Sequence, residues 1–427
     1  MPASLRRPRA VTVLALSVTG ALGLVGALTP PVARAASETP AVAPERGPAT
    51  AVSPPSDDFY VPPGPLPAGR PGDVIRSRKV DLPQPTPNRL ADTWQVMYLS
   101  TDALGRPDAV TGTVLVPRGA DPATLPVIGW APGTQGPAFR CTASRMIARG
   151  ALYEQWVVNS MLASGYAVAI TDYEGYRPDP ETTYVVGKSM GPALIDAVRA
   201  AQRLPATGLS PAAKVVFRGY SQGGGAALWA GETQPGYAPE LNVKGVVAGG
   251  VPASLVDVAL PLNGGPGSGF LLDALIGLDH AYPELRLDDA LNDAGRAAVA
   301  DLEKDACALD LLTTYANKSL SDLTTRSPLA DPAWQKRYTE NTLGGSTQLK
   351  VPVYLYHATR DSLVDAGQAG RLRGSLCRLG AEVTWKAYDT DALAPVKNHL
   401  WPIQAGNAEA AAFVADRLAD KPATSNC

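Results

Sequence analysis

Apolar positions along the chain follow two rhythms. Thr93 to Ser100 and Val110 to Val116 alternate apolar with polar residues, as antiparallel strands do, with Gly105-Arg106-Pro107 in the connection. Leu125 to Trp130, Tyr166 to Thr171, Lys214 to Arg218 and Val243 to Ala248 are short apolar runs of the kind that form buried parallel strands. Ala151 to Ser164 and Ala193 to Leu204 have helical spacing. In this count the run ending at Arg218 is the fifth strand. Past Val251 the rhythm changes. Pro252 to about Ser346 carries a Gly-rich loop at Asn263 to Gly269 and helical stretches at Leu271 to Leu278 and Leu287 to Lys304, with no clear strand. The alternation then resumes, with a strand at Val351 to His357, a helix at Ala366 to Leu379, a strand at Ala381 to Tyr388 and a closing helix at Ala408 to Leu418. Strands alternating with helices predict an α/β protein whose mostly parallel sheet has helices on both faces. Because the alternation resumes, 252–346 reads as a helical cap inserted into a core formed by 72–251 and 347–427, not as a separate domain.

The N-terminus does not fit this pattern. Arg6, Arg7 and Arg9 precede an apolar stretch from Ala10 to Leu28 and a small-residue cleavage signal, Ala33-Arg34-Ala35. That order predicts a signal peptide over 1–35; a retained anchor is the alternative, disfavoured by the Gly, Ser and Thr within the apolar run. Residues 36–71 are rich in Ala, Pro and Ser without a hydrophobic period, and read as an extended linker. After Leu28 no apolar stretch is long enough to span a bilayer, so the mature protein is expected to be soluble and secreted. The 427 residues carry a formal charge of −2, which gives no footprint for nucleic acid or an anionic membrane surface. Cys141, Cys307, Cys377 and Cys427 are an even set, expected in an oxidising compartment to form two disulfides with three possible connectivities. None is spaced as a CxxC pair, so no zinc site is expected. The acidic group Asp288, Asp289 and Asp293 lacks the ligand spacing and glycine of a calcium loop, and reads as a solvated helix face.

The chemistry is concentrated after the Lys214–Arg218 run. Gly219-Tyr220-Ser221-Gln222-Gly223 is a G-x-S-x-G followed by a helix that starts with small residues from Gly223 to Trp229. In a nucleophile elbow the serine occupies a strained strand-to-helix turn that lifts its hydroxyl out of the sheet. Ser221 is therefore the expected nucleophile of an α/β-hydrolase. A second G-x-S-x-G, Gly187 to Gly191 around Ser189, follows a polar, Pro-rich loop, with no full strand before it, and reads as a coincidence of composition.

A serine hydroxyl needs a base, and the base needs a group to orient it. The chain has three histidines. His280 lies in the cap and His357 inside a strand. His399 follows the last strand in a loop, Lys397-Asn398-His399-Leu400, and alone suits the Ser, acid, His order of this fold. Of the acids after the Val351–His357 strand, Asp361 is nearer the strand end, whereas Asp365 reads as the N-cap of the next helix. Asp389 and Asp391, beyond the final strand, are less suited. The first oxyanion donor is expected to be the N–H of Gln222; Gly133 and Thr134, in Ala131-Pro132-Gly133-Thr134-Gln135-Gly136, are the candidates for the second, Thr134 with its hydroxyl as a further donor. Asp172 and Glu174 read as satisfying backbone donors near the site, not as catalytic groups.

These stretches together resemble the secretory lipase family of α/β-hydrolases. The resemblance rests on GYSQGG at the elbow, TDYEGY before it, LNGGPGSGF at the start of the cap, YHATRDSLV around Asp361 and NHL around His399, and covers about Asp92 to the C-terminus. It implies a cap over the serine, no metal or cofactor requirement, and hydrolysis of carboxylic esters including triacylglycerols, with an ester or lipid as the partner. It also implies a triad of Ser221, Asp361 and His399, and the disulfides Cys141–Cys307 and Cys377–Cys427. The likeness departs where a yeast relative has an aspartate in the oxyanion loop and this chain has Thr134. Two other readings compete: a serine peptidase or acylaminoacyl-type hydrolase on the same fold, and a non-catalytic hydrolase-like binding protein. Neither appended repeats nor an acidic motif for a peptide amino terminus supports the first, and a triad in chain order argues against the second.

Overall fold

The computed structural model describes residues 57–83, 85–345 and 349–427. The expected signal peptide and residues 36–56 of the expected linker lie outside the described residues. The remainder of the expected linker does not run free. Asp57 caps a short 3₁₀ turn, Asp58–Tyr60, and the Tyr60 ring is buried with its hydroxyl 2.8 Å from Ser144 Oγ. The buried Tyr60 ring, hidden in a Pro-rich stretch, and the Asp57–Arg78 ion pair help fasten it.

The described residues form one nine-stranded sheet: β1 (Val74–Val80), β2 (Ala91–Thr101), β3 (Pro107–Pro117), β4 (Val127–Ala131), β5 (Ala167–Thr171), β6 (Lys214–Tyr220), β7 (Asn242–Gly249), β8 (Val353–Ala358) and β9 (Val383–Tyr388). Their spatial order is β1-β2-β3-β5-β4-β6-β7-β8-β9, antiparallel from β1 to β5 and parallel from β5 to β9. This is the α/β-hydrolase fold. The elbow strand is the sixth, not the fifth, because β1 was absent from the sequence reading. β1 is an edge strand of sequence VIRSRKV whose Arg and Lys residues hide its alternation. Charge on an edge strand discourages pairing with other chains.

The period-two alternation of β6 separates two cores. Val215 and Phe217 join a cluster with the helices Gly187–Arg203 and Gln222–Tyr237 on one face. Val216 and Tyr220 join another with Gln155–Ala163 and Asn407–Leu418 on the opposite face. Between β7 and β8 the described residues form helices, with Leu255–Leu262, Ser268–Ala281, Asp293–Asp305 and Pro332–Glu340 the longest; strand pairing there is limited to an isolated Leu291–Thr324 bridge. Their apolar faces make a third cluster that takes in Tyr184 to Val186 and, from the loop after β8, Leu363 and Val364. The expected helix Leu287 to Lys304 is broken: Leu287–Asp289 is a 3₁₀ turn and the α-helix starts at Asp293, capped by the Asn292 side chain. Asp288, Asp289 and Asp293 are ion-paired with Arg286 and Arg296.

The disulfides are Cys141–Cys307 and Cys377–Cys427. The first joins the segment after β4 to the inserted helices across 166 residues of sequence. No helix of the described residues is long and apolar enough to cross a membrane.

Candidate active site

The parallel strands end on one edge of the sheet, where the register sets Ala131 of β4 beside Gly219 of β6, and Tyr220 of β6 beside Gly249 of β7. Ser221 follows at φ 57°, ψ −122°, a positive φ that a non-glycine residue adopts only under strain. The glycines around it are dictated by space. A Cβ on Gly219 would lie 2.2 Å from Gly223 O, and one on Gly223 would lie 2.0 Å from Ala131 O. The turn closes only with glycine at both positions.

His399 Nε2 lies 3.0 Å from Ser221 Oγ, and His399 Nδ1 lies 2.8 Å from Asp361 Oδ2. The second carboxylate oxygen of Asp361 accepts the N–H groups of Leu363 and Val364, each at 2.9 Å. Burial pushes the Asp361 carboxyl up, but the neighbouring His399 with its hydrogen bond, His357 and the Val364 N–H together hold it below its ordinary value. The segments carrying Asp361 and His399 are interlocked. Asn398 Oδ1 accepts both the N–H and the hydroxyl of Ser362, whose oxygen in turn accepts the Val396 N–H.

The loop expected around His399 is instead the first turn of a helix, Lys397–Ala405. Pro402 inside it disguised the helical spacing. His357 is buried behind Asp361, its Nε2 2.9 Å from Val364 O and 3.5 Å from Asp361 Oδ2; burial lowers its pKa. His280 is held between Thr182 O and Glu303. Asp365 caps the helix Ala366–Arg378 by accepting the Gln368 N–H. Asp391 accepts the Thr359 hydroxyl, and Asp389 the Asp391 N–H. Ser189 belongs to the helix Gly187–Arg203 and is buried, 2.6 Å from the Thr183 hydroxyl. Asp172 accepts the N–H and hydroxyl of Ser144 and the hydroxyl of Thr111; burial raises it to about 6. Glu174 is half-buried and accepts the Thr183 hydroxyl.

Gln222 is the first residue of the elbow helix, so its N–H has no acceptor one turn back. Across from it, the Gly133 N–H is already taken by Glu154 Oε2 at 2.9 Å, which leaves Thr134 as the available backbone donor of the pair. The Thr134 hydroxyl lies 2.9 Å from that of Tyr184. Glu154, Gln135 and Tyr184 were not anticipated from the sequence. The one signal was Glu154 itself, a lone acid in the apolar stretch from Leu152 to Val158.

Ser221, Gln222, His399 and Thr134 line a cavity of about 340 Å³. Its remaining wall is mostly aliphatic, with Val258, Leu262, Leu275 and Leu278 from the inserted helices and Leu363 from the acid loop. Tyr153, Leu309 and Leu400 both line it and reach solvent, Leu309 at 69% exposure. Trp156 and Trp401, close in sequence to the lining residues Glu154 and Leu400, are also exposed.

A sequence model described as secretory lipase matches residues 143–426. The chain belongs to the secretory lipase family. A Mycobacterium tuberculosis relative named "Probable inactive lipase MT1628" is 31% identical to this secretory lipase, over 78% of this chain and 76% of its own. Secreted triacylglycerol lipase LIP1 of Malassezia furfur is 27% identical, over 87% of this chain and 77% of that protein. The X-ray structure of Candida antarctica lipase A in its closed state matches with a TM-score of 0.77 at 27% identity, covering 86% of this chain and 87% of that one. This secretory lipase is a carboxylic ester hydrolase of the lipase type.

Proposed function

We propose that the protein is a secreted lipase that cleaves carboxylic esters, triacylglycerols among them, through an acyl-enzyme on Ser221. The single observation that carries this reading is the continuous chain Ser221 Oγ, His399 Nε2, His399 Nδ1, Asp361 Oδ2, with steps of 3.0 and 2.8 Å, opening into an aliphatic cavity. Geometry has to carry it, since a relative bears the word inactive in its name.

His399 takes the Ser221 proton as the hydroxyl attacks the ester carbonyl, and returns it to the leaving alcohol. Asp361 fixes the imidazole tautomer and stabilises the imidazolium. The N–H groups of Gln222 and Thr134 receive the tetrahedral oxyanion, and water then releases the acid in a second, symmetric step. The aliphatic wall suits an acyl chain, and the inserted helices act as a cap over the serine. The exposed aromatic and aliphatic rim suits contact with a lipid surface, where Trp is favoured. Residues 1–35 serve as the export signal, in keeping with the family's secretory character.

The test is hydrolysis of p-nitrophenyl esters from two to sixteen carbons by the wild type, with Ser221→Ala alongside. Activity that rises with chain length and vanishes in the variant is expected. A protein that cleaves no ester, or a variant that keeps its rate, overturns the proposal.

A further inference from the structure

The loop after β4 is held by a set of bonds that a simple connection does not need. Tyr173 OH donates to Pro132 O, the Ala308 N–H to Gln135 O, and Tyr176 OH to Gly136 O, at 2.7–2.9 Å. Within it one unit is gripped from both sides. Gln135 Nε2 donates to Gly133 O at 2.9 Å, and the Gly133 N–H donates to Glu154 Oε2 at 2.9 Å. We propose that Gln135 and Glu154 are positioning residues that aim the Thr134 N–H at the oxyanion formed on Ser221. This deepens the esterase reading and rests on it.

A peptide group is planar and trans, so the Gly133 carbonyl and the Thr134 N–H point in opposite directions from one rigid unit. Holding the carbonyl with Gln135 therefore sets the direction of the N–H. Glu154 fixes the preceding peptide, which removes the other hinge of Gly133. Among the described residues no protein acceptor takes the Thr134 N–H, although Thr134 is buried and lines the cavity with Ser221 and Gln222. The loop is also seated on the elbow: a Cβ on Gly223 would meet Ala131 O at 2.0 Å and Pro132 O at 2.9 Å. A Cβ on Gly133 would meet Tyr153 Oη at 2.2 Å, so a glycine here lets the Tyr153 hydroxyl pack directly against the loop. A donor fixed before the reaction needs no reorganisation when charge develops, which is the basis of oxyanion stabilisation.

The chemistry of Glu154 fits the role. It is buried in the same wall, and burial, only partly offset by the Gly133 N–H and Arg218, raises its pKa to about 8. The groups facing it are Arg218 from β6, Tyr356 from β8, Tyr153 beside it and Tyr173 from the loop after β5. Arg218 alone among these carries a charge at neutral pH, and a buried neutral acid places no negative charge beside the oxyanion. Once ionised, the same carboxylate opposes it.

The experiment uses the full chain and compares wild type with Gln135→Ala, Glu154→Ala and Glu154→Gln. It measures kcat and KM for p-nitrophenyl butyrate from pH 6 to 10, and inhibition by an alkyl trifluoromethyl ketone, which forms a tetrahedral adduct on serine. Gln135→Ala and Glu154→Ala are expected to lose about 10–100-fold in kcat, below the loss from deleting a donor outright, with KM changed less than about threefold. Ketone affinity falls in parallel. Glu154→Gln keeps an acceptor for Gly133 and recovers most of that loss, and it removes the fall in kcat/KM above about pH 8 seen in the wild type. Wild-type kcat in both alanine variants, or losses confined to KM, or an alkaline limb unchanged in Glu154→Gln, overturns the inference. If Glu154→Ala does not fold, Gln135→Ala and Glu154→Gln decide it. A wild type without ester hydrolysis overturns the esterase reading itself, a result distinct from active enzyme with indifferent variants.

Discussion

The hydroxyl of Tyr220 donates to the backbone carbonyl of His399 at 2.5 Å, so the residue before the proposed nucleophile, Ser221, holds the residue proposed as its base. The rings of the two residues lie 5.3 Å apart between centroids. Strand β6 thus delivers the serine and also fixes the first turn of the helix that carries the imidazole. A net contribution of about 1 kcal/mol for such a bond corresponds to roughly a fivefold effect when it acts on the transition state. Tyr220→Phe should lower kcat by about that factor with KM nearly unchanged, as steady-state kinetics on a soluble ester will report.

The two G-x-S-x-G serines should separate cleanly. Ser221→Ala should lose about 10⁴–10⁶-fold in kcat while folding normally. Ser189 is buried in a helix against Thr183, so Ser189→Ala should leave most of the activity and cost about 1 kcal/mol of stability. Thermal unfolding and ester hydrolysis, measured on both variants, check this.

Glu232 predicts a pH dependence of stability. It is buried at the side of the elbow helix, accepts the Gly344 N–H at 3.0 Å, and burial raises it to about 7. A raised carboxyl binds its proton more tightly in the folded state, so its contribution is full below the ordinary value of 4.5 and is lost as pH rises to about 7. The Tm of wild type should therefore drop more between pH 5 and 8 than that of Glu232→Gln, as calorimetry at the two pH values would reveal.

The Cys141–Cys307 bond closes 166 residues and lies where the Ala138 N–H meets Ala306 O. In the chain-entropy account a loop of that length is worth up to ~5 kcal/mol, and less where the native state is strained. The double variant Cys141→Ser/Cys307→Ser should unfold at lower denaturant. It should also lose kcat, because the oxyanion loop is tied to the same contact through the Ala308 N–H and Gln135 O. Equal kcat in a destabilised variant would confine the bond to stability.

The rim predicts a substrate split. Leu309, which lines the cavity, and Trp401, next in sequence to the cavity-lining Leu400, are 69% and 40% exposed. Burying such a side chain in lipid is worth about 1.5–3 kcal/mol. Leu309→Ser and Trp401→Ala should reduce rates on emulsified triacylglycerol several-fold more than on monomeric p-nitrophenyl butyrate.

Much of this was legible in the sequence because it depends on local order. Parallel strands are buried on both faces, so β4 to β8 appear as short, mostly apolar runs, and the elbow is a strand, a turn with obligate glycines and a helix in succession. Where the local signal was mixed, the reading failed. The Arg and Lys of β1 masked its alternation, Pro402 masked the helix of His399, and Tyr60 was lost among prolines.

The sequence by itself determined the fold class and set Ser221 and His399 in the motif and chain order that the proposed triad requires, since strand and helix periods and chain order are properties of short segments. The tertiary structure decided which groups meet. Gly133 is excluded as an oxyanion donor because Glu154, 21 residues later, takes its N–H. Gln135, Tyr184 and Tyr220 acquire their partners through the packing of segments distant in sequence or through loop geometry that no periodicity encodes. Hydrogen bonds between such groups depend on distances set by the whole sheet and its inserted helices, and those distances exist only once the chain has folded.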